Sequence, residues 1–323
     1  MNTSTLNGTY LSIVIPLFNE EGNVDLLVRT LEDNLQPLNV SYEILLVDDG
    51  SNDETWIKIK QSSVRVKGIK LARNFGHQHA LLAGLTCAKG QAIVSMDGDL
   101  QHPPSLIQEM VKKHAEGYLV VSTHRNDTEV ASLFKRKSSS LFYKLFSFLT
   151  DVPVTPGTSD FRLLDRIVLD QLLQLKDVDL FLRGAVEWLG FRSVTIPYAA
   201  SKRHDGVSKY SLSKMLAFAK GSIISFSKKP LVLGIWLGVM TSLLAFIELV
   251  YVIYKALIGD TVPGWASTVA ITSFLFGVLF IMLGIIGIYL ARIHIALQNR
   301  PRFIIQELTA RKDEQQRIWH TRS

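Results

Sequence analysis

The sequence predicts an α/β domain built on a mostly parallel sheet, followed by a two-helix membrane anchor. Three observations carry that expectation. Short β-branched runs alternate with helix-length amphipathic segments from Leu11 onward. Polar clusters rich in carboxylates stand just past the ends of those runs. Charge then vanishes from two long stretches near the C-terminus.

The apolar runs are Leu11–Ile15, Glu43–Val47, Gly68–Leu71, Ala92–Met96 and Tyr118–Ser122. Each is almost continuously apolar, as strands covered on both faces must be. Between them Val24, Leu27, Val28 and Leu31, and later Leu106, Met110 and Val111, recur at helical spacing. Alternation of strand and helix argues for a parallel sheet with helices on both faces. Such sheets bind ligands beyond the carboxyl ends of their strands, which singles out Pro16 to Glu20, Asp48 to Ser51, Arg73 to His77 and Asp97 to Gln101. No G-x-G-x-x-G or G-x-x-x-x-G-K-[ST] follows any of these strands, which argues against a dinucleotide-dependent dehydrogenase and a P-loop ATPase.

Composition narrows the class further. An apolar fraction of 47% excludes an intrinsically disordered chain, and the single cysteine, Cys87, excludes a disulfide-stapled secreted scaffold. Met1 to Tyr10 is polar and uncharged, so no cleaved signal peptide is expected. The net charge of +6 gathers at the membrane flanks, and no aromatic platform for base stacking accompanies it, so no nucleic-acid partner is expected.

Asp97–Gly98–Asp99 ends the fourth run. Residues i and i+2 leaving a strand point the same way, and Gly98 lets the backbone turn sharply. With the amide oxygen of Gln101 they form a hard-oxygen set suited to Mg2+ or Mn2+, the remaining positions falling to phosphate oxygens. A D-x-D pair alone is also the signature of a solvated turn; the buried run before it and Leu100–Gln101–His102–Pro103–Pro104 after it favour the site. Asp49 ends the second run, where a carboxylate accepts from a uracil N3–H or a ribose hydroxyl, and Asn19 and Glu20 are placed for similar work. Asp53 reads as a helix-start residue.

The anchor is expected in Pro230 to Tyr254, 25 residues whose only charge is Glu248, and in Thr261 to Ala291, 31 residues with none. About 20 apolar helical residues cross a bilayer. Lys214, Lys220, Lys228 and Lys229 precede the first span and Arg292, Arg300 and Arg302 follow the second, so both termini are expected in the cytoplasm. Ser139 to Leu149 and Ser211 to Phe226 suit helices at the headgroup level. The expected division is a cytoplasmic domain over 1–210, an interfacial helix over 211–229, spans over 230–256 and 266–292, and a cytoplasmic tail over 293–323. That tail reads as frayed or as an inter-subunit helix after Arg302. Gly277, Gly284 and Gly287 form a small-residue face that allows packing between subunits, hence a possible homo-oligomer.

Ile15–Pro16–Leu17–Phe18–Asn19–Glu20, Val47–Asp48–Asp49–Gly50–Ser51, Arg73–Asn74–Phe75–Gly76 and Asp97–Gly98–Asp99–Leu100–Gln101 follow one another in the order seen in family 2 glycosyltransferases of GT-A fold, which the chain resembles. Ser159–Asp160–Phe161–Arg162–Leu163 and Arg203–His204–Asp205–Gly206–Val207–Ser208–Lys209–Tyr210 are similar to the polyisoprenyl-phosphate branch, which includes dolichol-phosphate mannose synthase and the bacterial GtrB and ArnC types. The two-span hairpin resembles the bacterial members, so the likeness runs from about Leu11 to Arg302 and implies an inner-membrane enzyme. It implies a UDP-sugar donor, glucose or N-acetylglucosamine foremost, and an undecaprenyl-type polyprenyl phosphate acceptor in the lipid bilayer.

By residue, the resemblance implies that Asp49 contacts the uracil, with Pro16, Asn19, Glu20 and Arg73 around the nucleotide. Asp97, Asp99 and Gln101 would handle the metal and the ribose–diphosphate end of the nucleotide sugar, Asp97 serving both, and Arg203 and Lys209 would clamp the diphosphate. Arg125, Arg136 and Ser140 match positions that hold the acceptor phosphate; Lys135–Arg136–Lys137 also reads as a basic patch attracting anionic lipid. Asp160 is the branch's candidate base, and reads equally as an orienting residue paired with Arg162. In place of the G-E-Y-[IL]-G-R usual in bacterial relatives, this chain has Gly287–Ile288–Tyr289–Leu290–Ala291–Arg292. Two other classes are set against this reading. A processive polysaccharide synthase needs more spans and a Q-x-x-R-W motif, which Gln315–Gln316–Arg317–Ile318–Trp319 does not match. A non-catalytic membrane scaffold is opposed by the intact carboxylates.

Overall fold

The computed structural model describes residues 9–125, 158–175, 182–198, 229–258 and 264–309. At its centre lies strand β1 (Leu11–Leu17), all seven residues of which are buried. It pairs in parallel with β2 (Tyr42–Asp48) on one side and β4 (Ala92–Ser95) on the other, and β3 (Val66–Leu71) extends the parallel set beyond β2. The near-continuous apolar character of these strands has a direct cause, a separate core on each face. Leu11, Ile13 and Ile15 pack with Val24, Leu27 and Leu31 of α1 (Val24–Leu35), Trp56 and Ile59 of α2 (Thr55–Gln61), and Ile107 and Met110 of α4 (Leu106–Ala115). Val14, Leu45 and Ile93 face the opposite core with Ala80 and Ala83 of α3 (His77–Cys87).

The second half of the sheet departs from parallel order. Strand β6 (Thr158–Asp165) inserts antiparallel between β4 and β5 (Val120–Arg125), and β7 (Ser193–Tyr198) pairs in parallel outside β5. Among the described residues the order is β7-β5-β6-β4-β1-β2-β3, with β8 (Ile305–Leu308) at the far edge beside β3. Because β6 runs against β4, its first residues arrive at the carboxyl end of β4, with Ser95 registered on Arg162. The Ser95 hydroxyl donates to the Asp160 carbonyl at 2.6 Å. Two short helices, α5 (Arg166–Gln174) and α6 (Leu182–Leu189), then complete the second core.

Two long helices follow, α7 (Lys229–Leu257) and α8 (Trp265–Leu297). Their segments Leu231–Lys255 and Phe274–Leu297 are candidate membrane spans, with mean hydropathies of 2.0 and 2.6. They meet where Gly238 lies against Met282, while Trp236, Phe246, Tyr251, Phe280 and Leu290 stand exposed. Apolar exposure on that scale is sustained in lipid rather than in water.

After α8 the chain returns to the sheet, which corrects the expectation of a frayed or helical segment after Arg302. Strand β8 (Ile305–Leu308) pairs antiparallel with β3 and closes that edge. Phe303 and Ile305 enter the second core, the Trp56 indole donates to Glu307 at 3.0 Å, and the Gly68 amide donates to the Thr309 hydroxyl at 2.7 Å. Gly68 is needed there, since a Cβ would lie 2.6 Å from Ile59 and 2.9 Å from Thr309. Sequence periodicity is silent on such a strand because four residues with one buried face carry too little pattern.

The strand makes a prediction. Ile305 is 4% exposed and its neighbour Ile304 49%. Ile305→Asp should cost about 2–4 kcal/mol by burying an unpaired charge, against roughly 0.5 kcal/mol or less for Ile304→Asp. Thermal unfolding of the detergent-solubilised protein should show a lower midpoint for the first and a near-normal one for the second.

Candidate active site

The loop after β4 is set by steric fit and by one histidine. The Met96 amide still donates to Val14, after which the chain leaves the sheet. A Cβ on Gly98 would lie 2.2 Å from Leu17 Cδ2, so any larger residue would have to shift that buried side chain for the loop to settle onto β1. The Asp97 amide donates to His102 Nδ1 at 3.2 Å. That bond places the ring proton on Nε2, which lies 2.8 Å from the Ser159 hydroxyl. The His102 ring stacks on Phe161 at 5.0 Å, and burial pushes its pKa down, so the ring is neutral. His102, which no metal-ligand spacing singled out, thus pins the D-x-D loop to the start of β6.

Asp97 itself is under-partnered. Its Oδ1 is buried and accepts no hydrogen bond among the described residues, although His77 Nε2 approaches to 3.3 Å. Burial raises the Asp97 pKa, opposed by His102 and His77. Asp99 Oδ1 accepts the Gln101 amide at 3.1 Å. No group of three His, Cys, Asp or Glu side chains among the described residues forms a metal cage. Two adjacent carboxylates, one with an orphaned buried oxygen, nonetheless fit a hard divalent ion whose other ligands come from a substrate.

Asp160 lies beside this pair and is satisfied where Asp97 is not. Arg183 on α6 grips it with both arms, Nε to Oδ1 at 2.7 Å and Nη2 to Oδ2 at 2.8 Å. Gln78 Nε2 donates to Oδ2 at 3.2 Å, Arg162 Nη2 lies 3.8 Å from Oδ1, and His77 Nε2 3.8 Å from Oδ2. Burial would raise the Asp160 pKa, but the hydrogen bonds and charge of Arg183, with the charge of Arg162, hold it well below the usual carboxylate range. Arg183, rather than Arg162, is therefore the principal partner. Sequence reasoning missed Arg183 because it lies 23 positions from Asp160 and in no motif. The one available signal was an arginine within the buried run Leu182, Gly184, Ala185 and Val186.

The strand ends on the other side form a second cluster. Both Asp49 oxygens accept backbone amides, from Phe75 at 2.8 Å and Gly76 at 2.9 Å. Burial raises the Asp49 pKa and these bonds oppose it. Each oxygen keeps a second lone pair for a ligand. Gly50, at φ +69, allows the loop carrying Arg73 to approach so closely that a Cβ would lie 2.5 Å from the Arg73 carbonyl carbon. Arg73 stacks over Phe75 at 4.1 Å. Asn19 and Glu20 brace the β1 and β2 loops against each other: the Asn52 amide donates to Asn19 Oδ1, the Asn19 amide to the Ser51 hydroxyl, and the Glu20 amide to the Thr55 hydroxyl. Pro16 lies within β1 opposite Val47. Asp53 accepts the Thr55 amide at the start of α2, in its expected helix-start role.

The structure therefore brings Asp49, Asp97 and Asp160 to one edge, joined through Gly76 and His77. Arg125 ends β5 opposite Tyr198, with its side chain outside the described set. Arg136, Ser140, Arg203 and Lys209, and the segments 139–149 and 211–226, lie outside the described residues.

The model for Glycosyl transferase family 2 matches residues 12–173. The chain is 39% identical over 300 residues to the uncharacterized glycosyltransferase YkcC of Bacillus subtilis, covering 92% of this chain and 93% of that protein. It is 33% identical over 303 residues to the SfII prophage-derived bactoprenol glucosyl transferase of Shigella flexneri, covering 92% and 97%. The bactoprenol glucosyl transferase of Shigella phage SfV matches at 33% over 302 residues, covering 92% and 98%. Among solved structures, S. aureus TarS 1–349 in complex with UDP-GlcNAc aligns over 65% of this chain and 64% of that one, at 17% identity and a TM-score of 0.45.

Asp160 and Arg183 predict an acid dependence. A carboxyl held below its unfolded value of about 3.9 stabilises the fold above that pH and loses its contribution as pH falls through the folded value. Denaturant unfolding should show wild type weakening below about pH 4. Arg183→Met should cost about 3 kcal/mol at neutral pH, by leaving a buried carboxylate short of its partner, and should flatten that acid dependence.

Proposed function

The chain belongs to glycosyl transferase family 2, and on that footing we propose that it moves a hexose, glucose foremost, from a UDP-sugar to a polyprenyl phosphate in the bilayer. The observation that carries this reading is the orphaned Asp97 carboxylate at the sheet edge of a chain that also carries two candidate spans. Relatives named bactoprenol glucosyl transferase, alike over 92% of the chain, support both the sugar and the lipid.

Asp49 and the amides of the loop from Arg73 to Gly76 receive the base, with Pro16, Asn19 and Glu20 shaping the wall. Arg203 and Lys209 take the diphosphate. Mg2+ or Mn2+ held by Asp97 and Asp99, with Gln101 alongside, supplies positive charge for the departing diphosphate. Arg125, Arg136 and Ser140 hold the acceptor phosphate. A phosphate oxygen attacks the anomeric carbon, the bond from that carbon to UDP breaks with its electron pair leaving on UDP, and the configuration inverts.

Asp160 serves as an orienting group in this scheme. Three N–H groups already occupy its oxygens, which leaves little room to receive a proton. The acceptor needs no base, since a phosphate monoester with a second pKa of about 6 is largely dianionic at neutral pH. The spans keep the catalytic domain on the cytoplasmic face, where a bilayer-bound acceptor and a soluble donor meet in fixed positions.

Purified protein incubated with radiolabelled UDP-glucose or UDP-N-acetylglucosamine and undecaprenyl phosphate, then extracted into organic solvent, should yield label in the lipid phase, glucose above N-acetylglucosamine. Asp97→Asn and Asp99→Asn should each lower the rate by roughly 10²- to 10³-fold. No lipid-linked label from any UDP-sugar would refute the reading. In the same assay Asp160→Asn should slow transfer without changing the shape of the rate–pH profile; recovery of its rate as pH rises would restore a base role.

A further inference from the structure

Gln78, on the first turn of α3, is not accounted for by any role assigned so far. Its Nε2 donates to Asp160 at 3.2 Å. Asp160 is ionised and accepts only, so the amide can present just its NH2 group there, and its orientation follows from chemistry. The carbonyl Oε1 must then face the other way. It is buried and has no hydrogen-bond partner among the described residues. Leaving a buried carbonyl without a partner carries a desolvation penalty that a donor from a bound ligand removes.

The chemistry of that donor is restricted. Phosphate oxygens carry no proton to give at neutral pH. A cation is disfavoured at the outer end of a group whose inner end rests on the Asp160, Arg183 and Arg162 cluster. What remains is a neutral O–H or N–H. The position fits, because His77, the residue before Gln78, reaches Asp97 Oδ1 at 3.3 Å and Asp160 Oδ2 at 3.8 Å. Gln78 thus lies one residue from a side chain that reaches Asp97, the carboxylate assigned to the metal at the diphosphate, and so near where the hexose attached to that diphosphate comes to rest.

We propose that Gln78 Oε1 is the hydrogen-bond acceptor for a ring hydroxyl of the transferred hexose, making Gln78 a specificity-determining residue. Asp160 and Arg183 are its positioning residues: Arg183 fixes the carboxylate, and the carboxylate fixes the amide. This inference rests on the donor being a nucleotide sugar, and it gives Asp160 a purpose that a proton acceptor would not need. A site built to receive a hydroxyl rejects the analogue that lacks it far more strongly than one that only encloses it.

The test is a series of mono-deoxy UDP-glucose donors, lacking the hydroxyl at C2, C3, C4 or C6, assayed with wild type and with Gln78→Met, which keeps the volume and removes the acceptor. In wild type one position should lower kcat/KM by roughly 10- to 100-fold. In Gln78→Met the same position should cost no more than about threefold, the others being unchanged. Equal penalties in the two proteins, or no wild-type position costing tenfold, would overturn the assignment. Calorimetry in Mn2+ reads the same contact without transfer. Wild type should bind UDP-glucose more tightly than UDP, and Gln78→Met should bind the two alike while keeping the affinity for UDP. An increment that persists in the variant counts against the proposal. Should transfer to lipid fail while the binding increment follows Gln78, the acceptor assignment falls and the sugar contact stands. If the variant loses UDP binding altogether, the wild-type deoxy series decides alone.

Discussion

A carboxylate oxygen held out of water without a hydrogen-bond partner among the described residues is the constraint on which this site depends. Asp97 leaves β4 onto a glycine that fits against Leu17, and its Oδ1 finds no hydrogen-bond donor among the described residues. Asp160 lies close by, more deeply buried than Asp97, and is held by hydrogen bonds from Arg183 and Gln78 with the Arg162 charge nearby. Burial moves the first carboxyl up, and the guanidinium groups move the second down. Neighbouring carboxylates driven apart in this way have different tasks. The one left wanting charge is suited to a cation brought with a substrate; the saturated one is a fixed strut.

Topology makes that contrast possible. A wholly parallel sheet would bring successive strand ends to the edge only through crossover helices. Inserting β6 antiparallel to β4 delivers Ser159 and Asp160 to the same edge directly, and His102 locks the two together by bonding Asp97 on one side and Ser159 on the other. At the far side of the sheet β8 ties the end of α8 to β3, whose next residues hold Asp49. The two long apolar helices and the Asp49 cluster are thereby connected through one strand.

Much of this was legible in the sequence where burial on two faces leaves a long apolar signal. The runs containing β1 to β4 are legible within a few residues, and their polar ends point to Asp49, Asp97 and Asp99. What was not legible depends on contacts between distant positions. Arg183 meets Asp160 across 23 residues, Gln78 meets it across 82, and the role of His102 follows from a proton assignment that only its neighbours can make. Strands β6, β7 and β8 were missed for another reason. Strands β7 and β8 lie at the sheet edges and alternate too briefly to be told from a loop, whereas β6 is interior but its buried run is broken by Asp160, Arg162 and Asp165, which hides it from an apolar-run reading.

The proposed function makes the half-satisfied Asp97 carboxylate one part of a cation site that the protein begins and its substrate completes. Electron paramagnetic resonance of Mn2+ titrated into the protein measures this directly. The account predicts weak binding to the protein alone, binding at least tenfold tighter when UDP is present, and loss of that gain in Asp97→Asn. Mn2+ affinity that is indifferent to UDP, or a gain that survives replacement of both Asp97 and Asp99 by asparagine, would contradict it.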